Sequence, residues 1–230
     1  MSDGGGARRI YGSILIACAL LAVLGMLHHP VLPRHDPSEI VQAFAGVSGP
    51  SVAIHSFLIA VVLVQLIGFH GFARTLGFGR PLVAGGFILW TAGTLALISA
   101  AVINGLALPS LAAAFHDATP AQAETFRSLA RFAWSLNQAW DKVGLVSWCA
   151  ALILWSAALV RLAGPARLLG AIGLIAPLGL ATAVLTGALA MGAHGFTLAI
   201  ACFSLWTLAA GALLLAGRAG PAAQPDAKAG

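Results

Sequence analysis

His28, His29, His35, His55, His116 and His194 all fall toward one end of the apolar segments that make up most of this chain, and His70 toward the other. Imidazoles and carboxylates are the donors from which Zn²⁺, Cu²⁺ and Fe²⁺ sites are built. His35 and His116 stand directly beside Asp36 and Asp117, and a ligating histidine commonly uses a carboxylate to orient its other ring nitrogen. The residues therefore point to a transition-metal site, for Zn or Cu, with His55, His194, His28 and His29 as the ligand set. A second chemistry needs only two imidazoles from different segments: His55 and His194 as the axial pair of a b-type haem. The competing expectation is plainer, polar residues tolerated among lipid headgroups. No HExxH, no HxxxH pair and no Met-rich tract is present to choose a reaction.

A second constellation lies in WSLNQAWDKVGLVSW, residues 134–148. Asn137, Asp141, Gly144 and Trp148 follow helical spacing and share one face, with Gln138 and Lys142 on the next stripe. Asp141 is placed to pair with Lys142, Arg131 or a histidine from another segment. Asp141 and Asn137, with His116, Asp117, His35 and Asp36, form the candidate set for orienting ligands or relaying protons. Against this stands a polar helix end reaching to water beside interfacial tryptophans.

The elements that must position these groups follow from composition. The chain is 60% hydrophobic and 8% charged, where soluble domains carry about 25% charged residues. Its apolar runs are continuous and long enough for a hydrocarbon core of about 30 Å, which takes roughly 20 helical residues. Continuous rather than alternating runs exclude a β-barrel. The reading is an all-α integral membrane protein with six spans, near residues 10–27, 51–72, 82–106, 143–162, 168–190 and 195–217. These form one transmembrane domain over 10–217, with disordered segments at 1–9 and 218–230. Arg8, Arg9, Arg74, Arg80, Arg161, Arg167, Arg218 and Lys228 collect on one side of those spans, against Arg34, Arg127, Arg131 and Lys142 on the other. Positive residues mark the cytoplasmic side, so both termini are expected inside and most histidines outside, in a bacterial inner membrane.

The net charge of +5 is scattered singly at segment ends, which excludes nucleic acid and leaves the lipid bilayer as the certain partner. Arg8 and Arg9 followed by unbroken apolar sequence to Leu27 indicate an uncleaved first span, although LIAC at 15–18 resembles a lipoprotein box. Cys18, Cys149 and Cys202 lie apart in apolar runs and form no disulfide or CxxC framework.

The two long outer connections carry helix signals. Asp36, Pro37 and Glu39 have the pattern of a capping box opening a short amphipathic helix, with Ile40, Val41 and Phe44 on a face meant for the membrane surface. Thr119, Pro120 and Gln122 repeat the pattern, and the helix they open runs into the fourth span, extending it outward. Gln65, Thr91, Thr94, Ser99 and Asn104 are expected to bond between helices, with Gly85, Gly86, Gly93, Gly170, Gly173 and Gly187 at close approaches and Pro177 kinking the fifth span. Arg74, Gly77 and Arg80 match Arg161, Gly164 and Arg167 at constant offset, as Gly86 and Gly105 match Gly173 and Gly192; a duplicated hairpin would produce this, and so would the general preference of cytoplasmic turns for Arg and Gly.

Three roles follow: an outer His/carboxylate metal site for sensing, delivery or transport; a non-catalytic subunit or scaffold of a larger membrane complex or homo-oligomer; and a haem b electron-transfer protein. Clustered histidines would also suit pH sensing. No nucleophile–base arrangement supports an enzyme.

Overall fold

The computed structural model describes residues 4–30, 40–115 and 117–219. Their elements are α1 (Gly4–Leu27), α2 (Ile40–Gly46), α3 (Ser48–Leu76), α4 (Pro81–Val102), a π-helical turn (Ile103–Ala107), α5 (Leu108–Ala114), α6 (Pro120–Leu159), α7 (Pro165–Leu185) and α8 (Ala193–Leu215). Among the described residues there is no strand. Six helical runs are long and apolar enough to cross a membrane: α1, α3, the α4–π–α5 run, α6, α7 and α8. The chain is thus a multi-pass membrane protein, and its outward faces carry Ile88, Leu95, Ile175 and Leu205 exposed where lipid would cover them. In a bilayer the helix is the form that satisfies every backbone group within its own segment.

The six long helices pack in chain order as a closed ring: α1 on α3, α3 on α4, α4 on α6, α6 on α7, α7 on α8, and α8 back on α1. The α4–α6 seam is the most extensive and α7–α8 the slightest. Arg80 and Arg161 line one small cleft at an end of the ring, and Arg8 lies beside Gly217 there. Turns Gly77 (φ 97°) and Gly164 (φ 61°) both adopt the left-handed conformation that favours glycine, each followed by a proline in the first turn of the next helix. These are the two turns of the suspected duplication.

Toward the arginine end the ring is filled by aromatic rings. Phe69 stacks on Trp155 with centroids 5.0 Å apart, and Phe72 meets Trp206 edge-on at 5.7 Å. Trp155 Nε1 donates to the Val83 carbonyl at 3.1 Å, fastening α6 to the start of α4. Higher up, a Cβ built on Gly93 would lie 2.6 Å from Trp148 Cδ1 and 2.8 Å from the Gly144 carbonyl. Gly144 faces Gly93 in return, so the two helices meet backbone to backbone.

Several expectations are met closely. Thr119 closes a capping box: Gln122 N donates to its Oγ1 at 3.4 Å, and its own N–H donates to Gln122 Oε1 at 2.8 Å. The resulting 40-residue α6 is about 60 Å long, roughly twice a hydrocarbon core. Others need correction. α1 starts at Gly4, inside the segment expected to be disordered. Val41 and Phe44 of α2 do not lie open to a membrane surface but pack on Leu108, Ala112, Phe126 and Ala130, because α5 and the N-terminal part of α6 offer a protein face. α7 ends at Leu185, where Gly187 (φ 75°) turns the chain and touches no neighbouring side chain, so it is not a close-approach glycine. Thr91 and Ser99 bond back to carbonyls of their own helix rather than across helices. Arg34, Asp36, Pro37, Glu39 and Lys228 lie outside the described residues.

Gly93→Val should cost on the order of 1–3 kcal/mol, because the opposing Gly144 backbone cannot yield. Gly79→Val, with open space around it, is the control. Thermal melting of detergent-solubilised protein measures both; equal melting temperatures would mean that α4 and α6 do not meet this closely.

Candidate functional site

α1 ends in a turn in which the His28 amide donates to Gly25 O and the His29 amide to Met26 O. Neighbouring side chains leave such a turn in different directions. His28 is exposed, with Nδ1 2.9 Å from Leu24 O, whereas His29 is half-buried and turned toward α3. There it meets His55, 5% exposed, with Nε2 to Nε2 at 3.2 Å and the rings edge-on at 4.8 Å. His55 Nδ1 lies 2.8 Å from the Ser51 carbonyl, which can only accept, so this nitrogen carries the hydrogen. Neutral His55 then accepts at Nε2 from the Nε2–H of His29, and His29 Nδ1 is left buried without a partner.

His55 is seated by the π turn. Pro109 has no N–H to close the helix onto Gly105, and the Leu108 N–H reaches back to Ile103 O, the five-residue bond of a π turn. The extra residue swings Gly105 against His55; a Cβ there would fall on the imidazole ring.

From the other side α6 contributes Asn137 and Asp141. Asn137 Nδ2 donates to Asp141 Oδ2 at 2.8 Å, and Asp141 is 8% exposed. Gln138 Nε2 donates to Met191 O at 2.8 Å, tying α6 to the connection before α8. Between these walls lies a cavity of about 320 Å³. His29, Trp134, Asn137 and Gln138 stand toward its histidine end, and Gln65, Trp90, Trp148 and Phe203 toward its floor. From Ser51 to Gln65 the α3 wall is about 21 Å long. At the floor Trp90 and Trp148 stack at 4.4 Å with planes 2° apart, and Trp148 Nε1 is shared between Trp90 O and Thr94 Oγ1, both at 3.2 Å.

Of the residues anticipated from sequence, His29, His55, Asn137 and Asp141 line this cavity together. His28 and His194 do not. His194 is exposed in the first turn of α8; Phe196 and Ile200 occupy the cavity face, and a residue two positions away points elsewhere. Of the four imidazoles of the expected ligand set, His29 and His55 are in contact, whereas those of His28 and His194 are exposed. Among the described residues no group of three His, Cys, Asp or Glu gathers that could hold a metal ion. Asp117 is exposed, and His35, Asp36 and His116 lie outside the described residues. Asp141 takes Asn137 as its partner, while Lys142 and Arg131 are exposed. His70 is exposed, its ring beside Phe78 and Phe87. Ser51, Asn104 and Trp90 complete the walls and were not anticipated there; Pro109 behind Asn104 and Gly105 was the readable sign of the π turn. No protein family, curated protein or solved structure matches the chain.

Burial holds the His29 imidazole below its ordinary value. A lowered folded value means that the neutral ring stabilises the fold above about pH 6.5, and that this contribution is lost as pH falls through the folded value. Melting temperature followed from about pH 8 down to about pH 5 should therefore drop more steeply for the wild type than for His29→Gln. Parallel curves would show that His29 is not held neutral by its surroundings.

Proposed function

We propose that this protein binds a small amphiphilic molecule within the membrane, its polar end among His29, His55, Asn137 and Asp141 and its apolar body against Trp148 and Phe203. The observation that carries this reading is the cavity itself, polar toward one end of a membrane-spanning ring and aromatic at its floor. Binding sites for small molecules have this character: concave, mostly apolar, with a few converging polar groups. The distribution of arginines supports an orientation with both termini cytoplasmic, so that the cavity opens on the outer side of a bacterial inner membrane. The role is then capture of an amphiphile at that side, for sensing or delivery.

The test is a ligand-dependent melting shift with octanol as probe, since a molecule that binds the folded state alone stabilises it by mass action. Ala101 lines the cavity with a methyl group. The wild type should gain stability with octanol and Ala101→Trp, with an indole filling that space, should not. An equal response from both would place binding elsewhere.

One observation favours a second reading, a metal bound alongside the ligand. Two nitrogens each about 2.0–2.1 Å from a tetrahedral Zn²⁺ lie about 3.3 Å apart, close to the 3.2 Å between the His29 and His55 Nε2 atoms. Ser51 O on His55 Nδ1 is the kind of partner that orients a ligating imidazole. With two protein donors, the remaining positions would belong to water or to the bound molecule. Zn²⁺ added to metal-stripped protein should then raise the melting temperature of the wild type and not of His55→Ala. No shift in the wild type would remove the metal and leave the cavity.

A further inference from the structure

We propose that the ligand of this cavity is an organic cation, an amphiphilic amine or quaternary ammonium, whose charge rests on Asp141. The inference builds on the small-molecule reading above and specifies its substrate class. Among the described residues lining the cavity, Asp141 is the single carboxylate, and no lysine or arginine is present. A headgroup carrying phosphate, sulfonate or carboxylate would find no cation there and would face Asp141 as a like charge.

Among the described residues Asp141 has no countercharge. Its carboxylate has about four acceptor sites, and among the described residues only Asn137 Nδ2 donates to it. Among the described residues no lysine, arginine or histidine forms an ion pair with it, and the imidazoles of His29 and His55 are bonded to each other and to Ser51. A buried carboxylate with no partner is costly, and an ionisable group on a membrane-spanning helix is a functional candidate for that reason. A bound cation supplies the missing charge.

The flanking residues fit the same class. Trp134, Asp141 and Trp148 recur at intervals of seven on α6, so they lie along one stripe, successive members about 10.5 Å apart. All three line the cavity. Indoles therefore stand on either side of Asp141 along the stripe. The alkyl portion extends toward Trp148 and Phe203. Burial lowers the His29 imidazole below its ordinary value, which disfavours a competing positive charge on that ring.

The experiment compares octyltrimethylammonium with octanol, titrated calorimetrically against the full chain in nanodiscs and counted by native mass spectrometry. Wild type should bind the cation at least about tenfold more tightly than the alcohol, the size expected of a charge-assisted contact. Asp141→Asn, nearly the same shape, should lose that preference, with its melting temperature showing that the variant is folded. Asp141→Glu should retain part of the preference. If the cation binds no better than the alcohol, or binds Asp141→Asn as well as wild type, the cation assignment is wrong and the cavity reading survives. If neither probe binds wild type above the Ala101→Trp background, the cavity reading falls with it.

Discussion

The arrangement depends on the backbone-to-backbone contact of α4 and α6 at Gly93 and Gly144. Any side chain at either position would hold the helices apart. With them together, Trp90 from α4 and Trp148 from α6 lie flat on one another, and Trp148 Nε1 reaches both the Trp90 carbonyl and Thr94. Without water, an indole N–H has few other places to go. The stack divides the ring into two unlike halves. Toward the arginine end, Phe69, Phe72, Trp155 and Trp206 close the interior; toward the histidine end it stays open and polar.

The fold was largely legible because each of its determinants is local. Apolar runs set the six spans, Thr119 and Gln122 announced the start of α6, and Gly77 and Gly164 marked turns that need a left-handed residue. The errors lie where a neighbour decides. α2 was read as a membrane-surface helix from its own amphipathicity, yet Val41 and Phe44 are covered by α5 and α6. α7 was drawn too long because GALAM after Gly187 is as apolar as a span, and hydropathy carries no record of backbone conformation.

The site was legible in its types and less so in its membership. Counting histidines at one depth gathered His28, His29, His55 and His194, but depth leaves the rotation about each helix axis unspecified. That rotation separates His29 from His28 and faces Phe196 rather than His194 into the ring. Periodicity succeeded on α6 because Asn137, Asp141, Gly144 and Trp148 are referred to one axis and share one face by geometry alone. The Gly105–His55 contact stayed hidden for another reason. It requires a π turn, which shifts the register of everything after Ile103 and which only Pro109 betrays.

The unlike halves of the ring also bear on what a bound molecule could do. A permeation path needs polar or wet surroundings along its whole length, and alternating access needs an interior that opens at either end. Here the wall below Trp90 and Trp148 is a packed set of rings, with Phe69 between Trp90 and Trp155 at 4.2 and 5.0 Å and Trp206 stacked beyond. Opening it would break the stacking, expose Trp155 Nε1 from its bond to Val83 and separate the α4–α6 seam. At the histidine end the described walls are helix ends, a π turn and the Gln138–Met191 tether, with α2 packed on α5 and α6 beside them. On the proposed reading a ligand would enter and leave at the histidine end, because conduction through this single ring would demand the loss of the contacts that hold it together.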